Sequence, residues 1–339
     1  MGLKSAIYAS QLRRELAARN RLYARARLHV ESYGGQPVVV YAPEGDCHGN
    51  FFDPAYAAIK SRPDWMKRFN KVHAQGRALP KHADDPARKW RELDSCMSSD
   101  ALLMNVFCTP GVAESQAVRR MLGIENEDGL QFGWKAKVPL KSGLFDRTEV
   151  DLRWGGLLVE AKLTESDYQT RKASIVEGYR DFDEVFDRDL LPRVELRLAR
   201  RPAAVEFPEE FTQEWEETSA TPDDAATAIA TAHQAGIAAR AWQAKPSDAA
   251  YVSYQLIRNV LAAYAHGCSF CVMLDERRPD LREAWFDVMA AVRAADMRAR
   301  CKVLTWQELA VSLPEDLREF LDIKYGIVAP GQIASAIGE

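Results

Sequence analysis

The pair Gly155-Gly156 constrains this chain more than any other feature. It separates two runs that alternate in character, T-E-V-D-L-R-W and L-L-V-E-A-K-L-T-E. A two-residue Gly-Gly connection is a strong hairpin signal, since the tight turns that match strand twist need positive φ. With these glycines as the turn, Asp151 faces Glu160 and Glu149 faces Lys162. Alternation then places Val150, Leu152, Trp154, Leu157, Val159, Ala161 and Leu163 on one uniformly apolar side. Glu149, Asp151, Arg153, Glu160 and Lys162 fall on the other, where Leu158 is the single apolar residue.

Directly opposed residues have Cβ atoms about 4.5–5.5 Å apart, and like charges at that range destabilise a sheet. A divalent cation is the natural compensator, because hard Mg²⁺ or Mn²⁺ prefers carboxylate and carbonyl oxygen. Lys162 shares the face with Glu160. From there an ammonium orients or helps deprotonate an attacking water and offsets charge on a phosphate in flight. The competing reading is a solvent-facing hairpin in which Lys162 pairs with Glu149 and the acids are hydrated or paired with Arg153.

Asp151, eight intervening residues and then Glu160-Ala161-Lys162 resemble the bipartite signature of the PD-(D/E)xK nuclease superfamily, with its restriction-endonuclease-like fold. Leu157-Leu158-Val159 fills the place of the buried strand before the acid, and Val150 stands where the family's Pro precedes the Asp. The likeness spans Gln131 to Glu165. It implies a metal-dependent nuclease in which Asp151, Glu160 and the Ala161 carbonyl ligate Mg²⁺ or Mn²⁺ and Lys162 serves the nucleophilic water. Many members carry a further acid on the helix before the hairpin, for which Asp100 and Glu114 are candidates; Glu149 is a third extra acid. In the helical run Y-V-S-Y-Q-L-I-R-N-V-L-A-A-Y, Gln255, Arg258 and Asn259 lie within about one turn. Gln255 and Arg258 are the candidate phosphodiester contacts, although helix packing explains them equally well.

Charge divides the chain. Residues 1–95 carry 17 Lys and Arg against 10 Asp and Glu, whereas residues 202–249 carry 2 against 9. Arg13, Arg14, Arg19, Arg21, Arg25 and Arg27, with Tyr8, Leu12, Leu16 and Tyr23 at roughly helical spacing, read as a basic amphipathic helix. That helix is either a solvated face or a phosphate-contacting arm using Arg13, Arg14, Arg21 and Arg25. Lys60–Lys71 is also basic, with Trp65 and Phe69 read as packing residues. The acid run from Glu206 to Asp224 reads as a connector into an Ala-rich helix over Asp223–Ala244.

The expected fold class is α/β: a small mixed central sheet with a catalytic β-hairpin flanked by helices, plus a helical N-terminal region and an acidic helical insert. The expected organisation is a basic region 1–95, core segments 96–200 and 249–325 around the insert 201–248, and a tail 326–339. Expected helices are Ser98–Phe107, a run ending near Phe186, Ala249–Ala265 and one from Pro279. Expected strands lie near Phe132–Leu140, Glu149–Trp154, Leu157–Leu163, Ser269–Leu274 and Lys302–Leu304.

Six scattered cysteines give no disulfide framework. Cys268 and Cys271 point to opposite faces of their strand, and Cys47-His48 lacks an orienting third group. No phosphate loop or dinucleotide fingerprint occurs, and no apolar run is long enough for a membrane span or a secretory signal; the reading is cytoplasmic.

The sequence therefore reads as a Mg²⁺- or Mn²⁺-dependent nuclease acting on DNA, with RNA as the other polymer, in restriction, defence or DNA processing. Duplex cutting favours a homodimer, and a partner protein is expected for activation or targeting. The alternative is a catalytically silent nuclease-fold subunit that binds nucleic acid or serves in assembly, against which the joint presence of Asp151, Glu160 and Lys162 argues. A basic substrate arm predicts that affinity for DNA falls steeply between about 50 and 300 mM salt; an unchanged dissociation constant over that range excludes the arm.

Overall fold

The computed structural model describes residues 2–32, 37–72, 79–81, 89–125, 129–195 and 249–331. The insert 201–248, with its expected helix over Asp223–Ala244, and tail residues 332–339 lie outside these.

The N-terminal part contains helix α1 (Gly2–Tyr23), an antiparallel pair β1 (His29–Ser32) and β2 (Val38–Tyr41), a short pair β3 (Pro43–Glu44) and β4 (Cys47–His48), and helices α2 (Asp53–Ser61) and α3 (Pro63–Phe69). Helices α4 (Ser99–Phe107) and α5 (Gln116–Leu122) lead into β5 (Leu130–Lys135), β6 (Val138–Pro139), β7 (Phe145–Asp146), β8 (Glu149–Trp154) and β9 (Leu157–Ala161). Then come β10 (Thr170–Lys172), α6 (Ala173–Val176), α7 (Phe182–Val185), β11 (Arg193–Glu195), β12 (Ala249–Val252) and α8 (Tyr254–Ala265). The chain closes with β13 (Ser269–Leu274), α9 (Pro279–Ala290), α10 (Ala295–Arg300), β14 (Cys301–Thr305), α11 (Trp306–Ala310) and α12 (Glu315–Tyr325).

The fold is mixed α/β around a five-stranded mixed sheet of order β14-β13-β9-β8-β5. The antiparallel pairs are β5–β8 and β8–β9, while β13 runs parallel to both β9 and β14. Gly155 adopts φ +55°, and the turn sets the pairs Trp154–Leu157, Arg153–Leu158 and Leu152–Val159. Helix α4 starts where Ser98 caps it, its hydroxyl accepting the Ala101 N–H at 3.1 Å.

Both faces of the sheet are covered. One core joins Leu152, Trp154, Leu157, Val159, Ala161, Leu163 and Cys271 to Leu12 and Leu16 of α1, Trp65 and Phe69 of α3, all along α4, and α12. The other joins Leu158, Phe270, Val272 and Cys268 to α8 and its neighbours. Trp65 and Phe69 are packing residues, and Cys268 and Cys271 lie in opposite cores.

Four expectations need correction. Val150 leaves the face of Leu152 and joins the second core with Leu158. Gly133 on β5 takes φ +64°, and a residue of positive φ interrupts side-chain alternation: Phe132 packs on the first core and Trp134 on the second. Residues Ala249–Val252 form a strand between β10 and β11 instead of the first turn of α8, because Ser253 at φ +61° breaks any helix through it. The run ending at Phe186 is the strand β10 and two short helices. The N-terminal region contains the β1–β2 pair besides its helices; the apolar residues of α1, α2 and α3 belong to the same core as α4 and the hairpin, while Val38–Tyr41 of β2 pack in a third cluster with Ala24, Leu79, Trp90 and Cys96.

Among the described residues no helix is long and apolar enough to cross a membrane. α1 is tied down at several points: Glu15 meets Arg277 Nη1 at 2.6 Å, Arg19 Nη1 donates to the Asp322 carbonyl at 2.9 Å, and Asn20 Nδ2 to the Lys324 carbonyl at 3.1 Å. Gly326 ends α12 at φ +64°, where a Cβ would lie 2.7 Å from Arg19 Nε. Replacing Gly326 with Ala should destabilise the protein by about 1–3 kcal/mol, measured by urea unfolding; an unchanged midpoint refutes this account of the joint.

Candidate active site

The β8–β9 ladder stops where the acids begin. Beyond Leu152–Val159 the Asp151 side chain replaces a backbone partner, its Oδ2 accepting the Ala161 N–H at 2.8 Å. β9 continues instead along β13, where the Lys162 N–H donates to the Met273 carbonyl at 2.8 Å. The indole N–H of Trp306 donates to the Lys162 carbonyl at 3.1 Å. The residue after β9 is thereby fixed from two sides.

Glu160 and Lys162 are only 2 % and 4 % exposed, so the β9 end of this face is covered, while Glu149, Asp151 and Arg153 on β8 are half-buried. Lys162 Nζ lies 2.8 Å from Glu160 Oε1, and Asn259 Nδ2 of α8 donates to Glu160 Oε2 at 2.7 Å. Burial opposes the charge on Lys162, but Glu160, Glu165 and Asp151 outweigh it and hold its pKa above the usual lysine value. Nζ therefore keeps its proton. Burial, then Glu160 and Asp100, push the Asp151 pKa well above the ordinary carboxylate value, with Lys162 and the Ala161 N–H acting the other way.

Asp100 reaches this site from the first turn of α4, and Arg68 of α3 binds its Oδ2. Glu149 stands at the rim, 3.0 Å from Lys71 Nζ, and does not pair with Lys162. Just past the hairpin, Glu165 accepts the Ser99 hydroxyl at 2.5 Å. The structure thus brings Asp100, Asp151, Glu160, Ala161, Lys162 and Glu149 together. Glu114 is exposed in the turn beyond the far end of α4.

The nucleic-acid candidates separate. Arg258 is 2 % exposed and donates to the Thr148 and Glu149 carbonyls at 3.0 and 2.8 Å, anchoring the start of β8; a contact with a phosphodiester does not fit that burial. Gln255 is half-buried, its N–H bonded to the Tyr168 carbonyl at 2.9 Å. Arg13 is half-buried near Glu165 and Arg278, and Arg21 is engaged with Glu31 at 3.0 Å. Arg14 and Arg25 are exposed.

Sequence reasoning grouped Asn259 with Gln255 and Arg258 without giving it a role, and it missed Arg68 and Glu165. Asn259 was visible as the residue one turn after Gln255. Arg68 and Glu165 left no local signal, because each meets the hairpin only through tertiary packing. Cys47 is exposed, whereas His48 is buried on Asp94 at 3.1 Å.

As they stand, and among the described residues, no three His, Cys, Asp or Glu side chains gather closely enough to ligate a metal. Lys162 and Arg68 engage two of the acids instead. The donor chemistry nonetheless fits a hard divalent cation: the acids supply oxygen, and Asp151, whose pKa is pushed up, has no bonded cation of its own among the described residues.

No curated protein and no solved structure matches the chain. One family model does, described as Restriction Endonuclease associating with ARP, over residues 17–326. The match runs from within α1 to the cap of α12 and contains every residue of the acid cluster. With Asp151, Glu160, Ala161 and Lys162 in their hairpin, the chain belongs to this restriction endonuclease family, in keeping with the PD-(D/E)xK superfamily.

Proposed function

We propose that the protein is a Mg²⁺- or Mn²⁺-dependent nuclease that hydrolyses phosphodiester bonds of DNA, built on a restriction-endonuclease-like core. The observation that carries this reading is the meeting of Asp100 and Glu160, from α4 and β9, at Asp151 of β8, with the Lys162 ammonium paired to Glu160. Family membership supports a nuclease-related role.

Asp151, Glu160 and the Ala161 carbonyl are the ligands in this reading, with Asp100 as the additional acid. When bound, the cation lowers the pKa of a water and offsets charge on the phosphoryl oxygens. Lys162, protonated at Nζ, acts as a hydrogen-bond donor and positive charge toward a phosphate oxygen, not as the base. Asn259 fixes Glu160 through Oε2, and Trp306 fixes the Lys162 backbone, so the acid and the ammonium are held before substrate arrives. Of the four arginines of the expected arm, we assign DNA-backbone contact to Arg14 and Arg25, which are exposed. The family's description includes association with ARP, and we extend to this chain a protein partner that targets or activates it.

Cleavage of supercoiled and linear duplex DNA, single-stranded DNA and structured RNA, with Mg²⁺, Mn²⁺ or EDTA, tests the reading. Wild type should cut DNA only with metal, and Lys162→Ala should lose at least about 10²-fold in rate. DNA binding without cutting under either metal would favour the silent subunit.

Asp151 gives a second test. Its raised folded pKa means that ionisation opposes folding: the penalty is absent below the unfolded value near about 4 and grows as pH rises through the raised folded value. Asp151→Asn keeps an acceptor for the Ala161 N–H and removes the charge. In EDTA at pH 7 it should melt a few degrees above wild type, the effect of about 1 kcal/mol in a large domain, and with Mg²⁺ or Mn²⁺ it should lose cleavage. The gap should close in acid; a lower melting temperature at pH 7 contradicts the electrostatic account.

A further inference from the structure

The basic stretch Lys60–Lys71 turns its helix α3 toward the acids. Arg68 is 8 % exposed. Its Nη2 binds Asp100 Oδ2, and its Nη1 lies 3.3 Å from Glu92 Oε2 and 3.7 Å from Glu149 Oε2. Lys71 Nζ follows at the rim, 3.0 Å from Glu149 and 3.5 Å from Glu92. Burial works against the Arg68 charge, but Asp100, Glu92, Asp151 and Glu149 together overcome it.

One further observation sets Arg68 apart from an ordinary packing ion pair. Its buried Nε and Nη1 make no hydrogen bond among the described residues, and an unmade bond at a buried charged group is costly. Its charge, rather than a full set of bonds, is what the position uses. Strand β5 packs directly against it: a Cβ at Gly133 would lie at ordinary contact distances, 3.4 Å from Arg68 Cδ and 3.6 Å from Glu149 Oε2. The same glycine holds φ +64° on the strand beside Asp151.

We propose that Arg68 is a positioning residue of the active site: it holds the acids in place as their internal counter-cation and competes with the divalent cation for Asp100. This rests on the metal-dependent reading above. A guanidinium and a divalent cation facing the same carboxylates repel each other, so loading the metal requires Asp100 to exchange one for the other. Arg68 then retains Glu92 and Glu149, and α3 stays docked.

Mn²⁺ titration of the full chain without nucleic acid, read by electron paramagnetic resonance, tests this. Arg68→Gln should bind Mn²⁺ about tenfold more tightly than wild type, since a unit charge beside a divalent ion is removed. Its metal-free form should melt lower and gain more from Mn²⁺. An arginine that served only to build the site would loosen Mn²⁺ when removed; looser or unchanged binding overturns the proposal. Arg68→Lys, which keeps the charge, covers the case in which the glutamine variant fails to fold: affinity within about twofold of wild type supports a charge effect, and a tenfold change refutes it. Glu160→Gln separates the levels of failure. If it binds Mn²⁺ as well as wild type does, the metal reading fails; if it binds more weakly while Arg68→Gln is unchanged, only the role of Arg68 fails.

Discussion

The ion pair between Glu160 and Lys162, closed to 2.8 Å inside the molecule, is the constraint around which the rest is arranged. Taking two charges out of water costs several kcal/mol per ion, and an apolar pair of the same size often serves stability as well or better. The chain supports its buried ions with Asn259 on the free carboxylate oxygen, β13 on the Lys162 N–H and Trp306 on the Lys162 carbonyl. Two apolar cores then seal the sheet from either side. Charges kept at such cost are best understood through chemistry rather than stability.

The N-terminal residues take part in that seal. Leu12, Leu16, Trp65 and Phe69 lie in the same core as Trp154 and α4. At the other end of the joint Lys324 is fully buried, with Nζ 2.6 Å from Asn20 Oδ1 and 4.1 Å from the centre of the Tyr41 ring. Burial pulls its pKa down to about 7, Cys96 opposing and Arg27 adding to the effect. The basic surplus read from the sequence thus divides into exposed groups, such as Arg14 and Arg25, and buried ones, such as Arg19 and Arg68, that join helices to each other or to the acids. Net charge describes the first set and hides the second.

Where strand and helix signals are local, the sequence was readable. The turn at Gly155-Gly156 set the register found in the sheet, and Ser98 marked the start of α4. Errors fell where one backbone angle changed the rule: Gly133, at positive φ, separates Phe132 and Trp134 into different cores, and Ser253, at positive φ, delays the start of α8 to Tyr254. Arg258 misled for a different reason. A polar residue on a helix reads alike whether it meets solvent or, as here, the carbonyls of Thr148 and Glu149.

By itself the sequence determined the hairpin, the neighbourhood of Asp151, Glu160 and Lys162, and the family likeness, because those depend on strand period and turn geometry within fewer than about twenty residues. Only the tertiary structure decided the remaining members of the site. It brought Asp100, not Glu114, near Asp151 by placing the start of α4, not its far end, beside β8. It placed Asn259 on Glu160 by laying α8 across the sheet, and it brought Arg68 to the acids from α3. Those meetings join residues between 32 and 99 positions apart; packing sets such distances, and no local pattern records them.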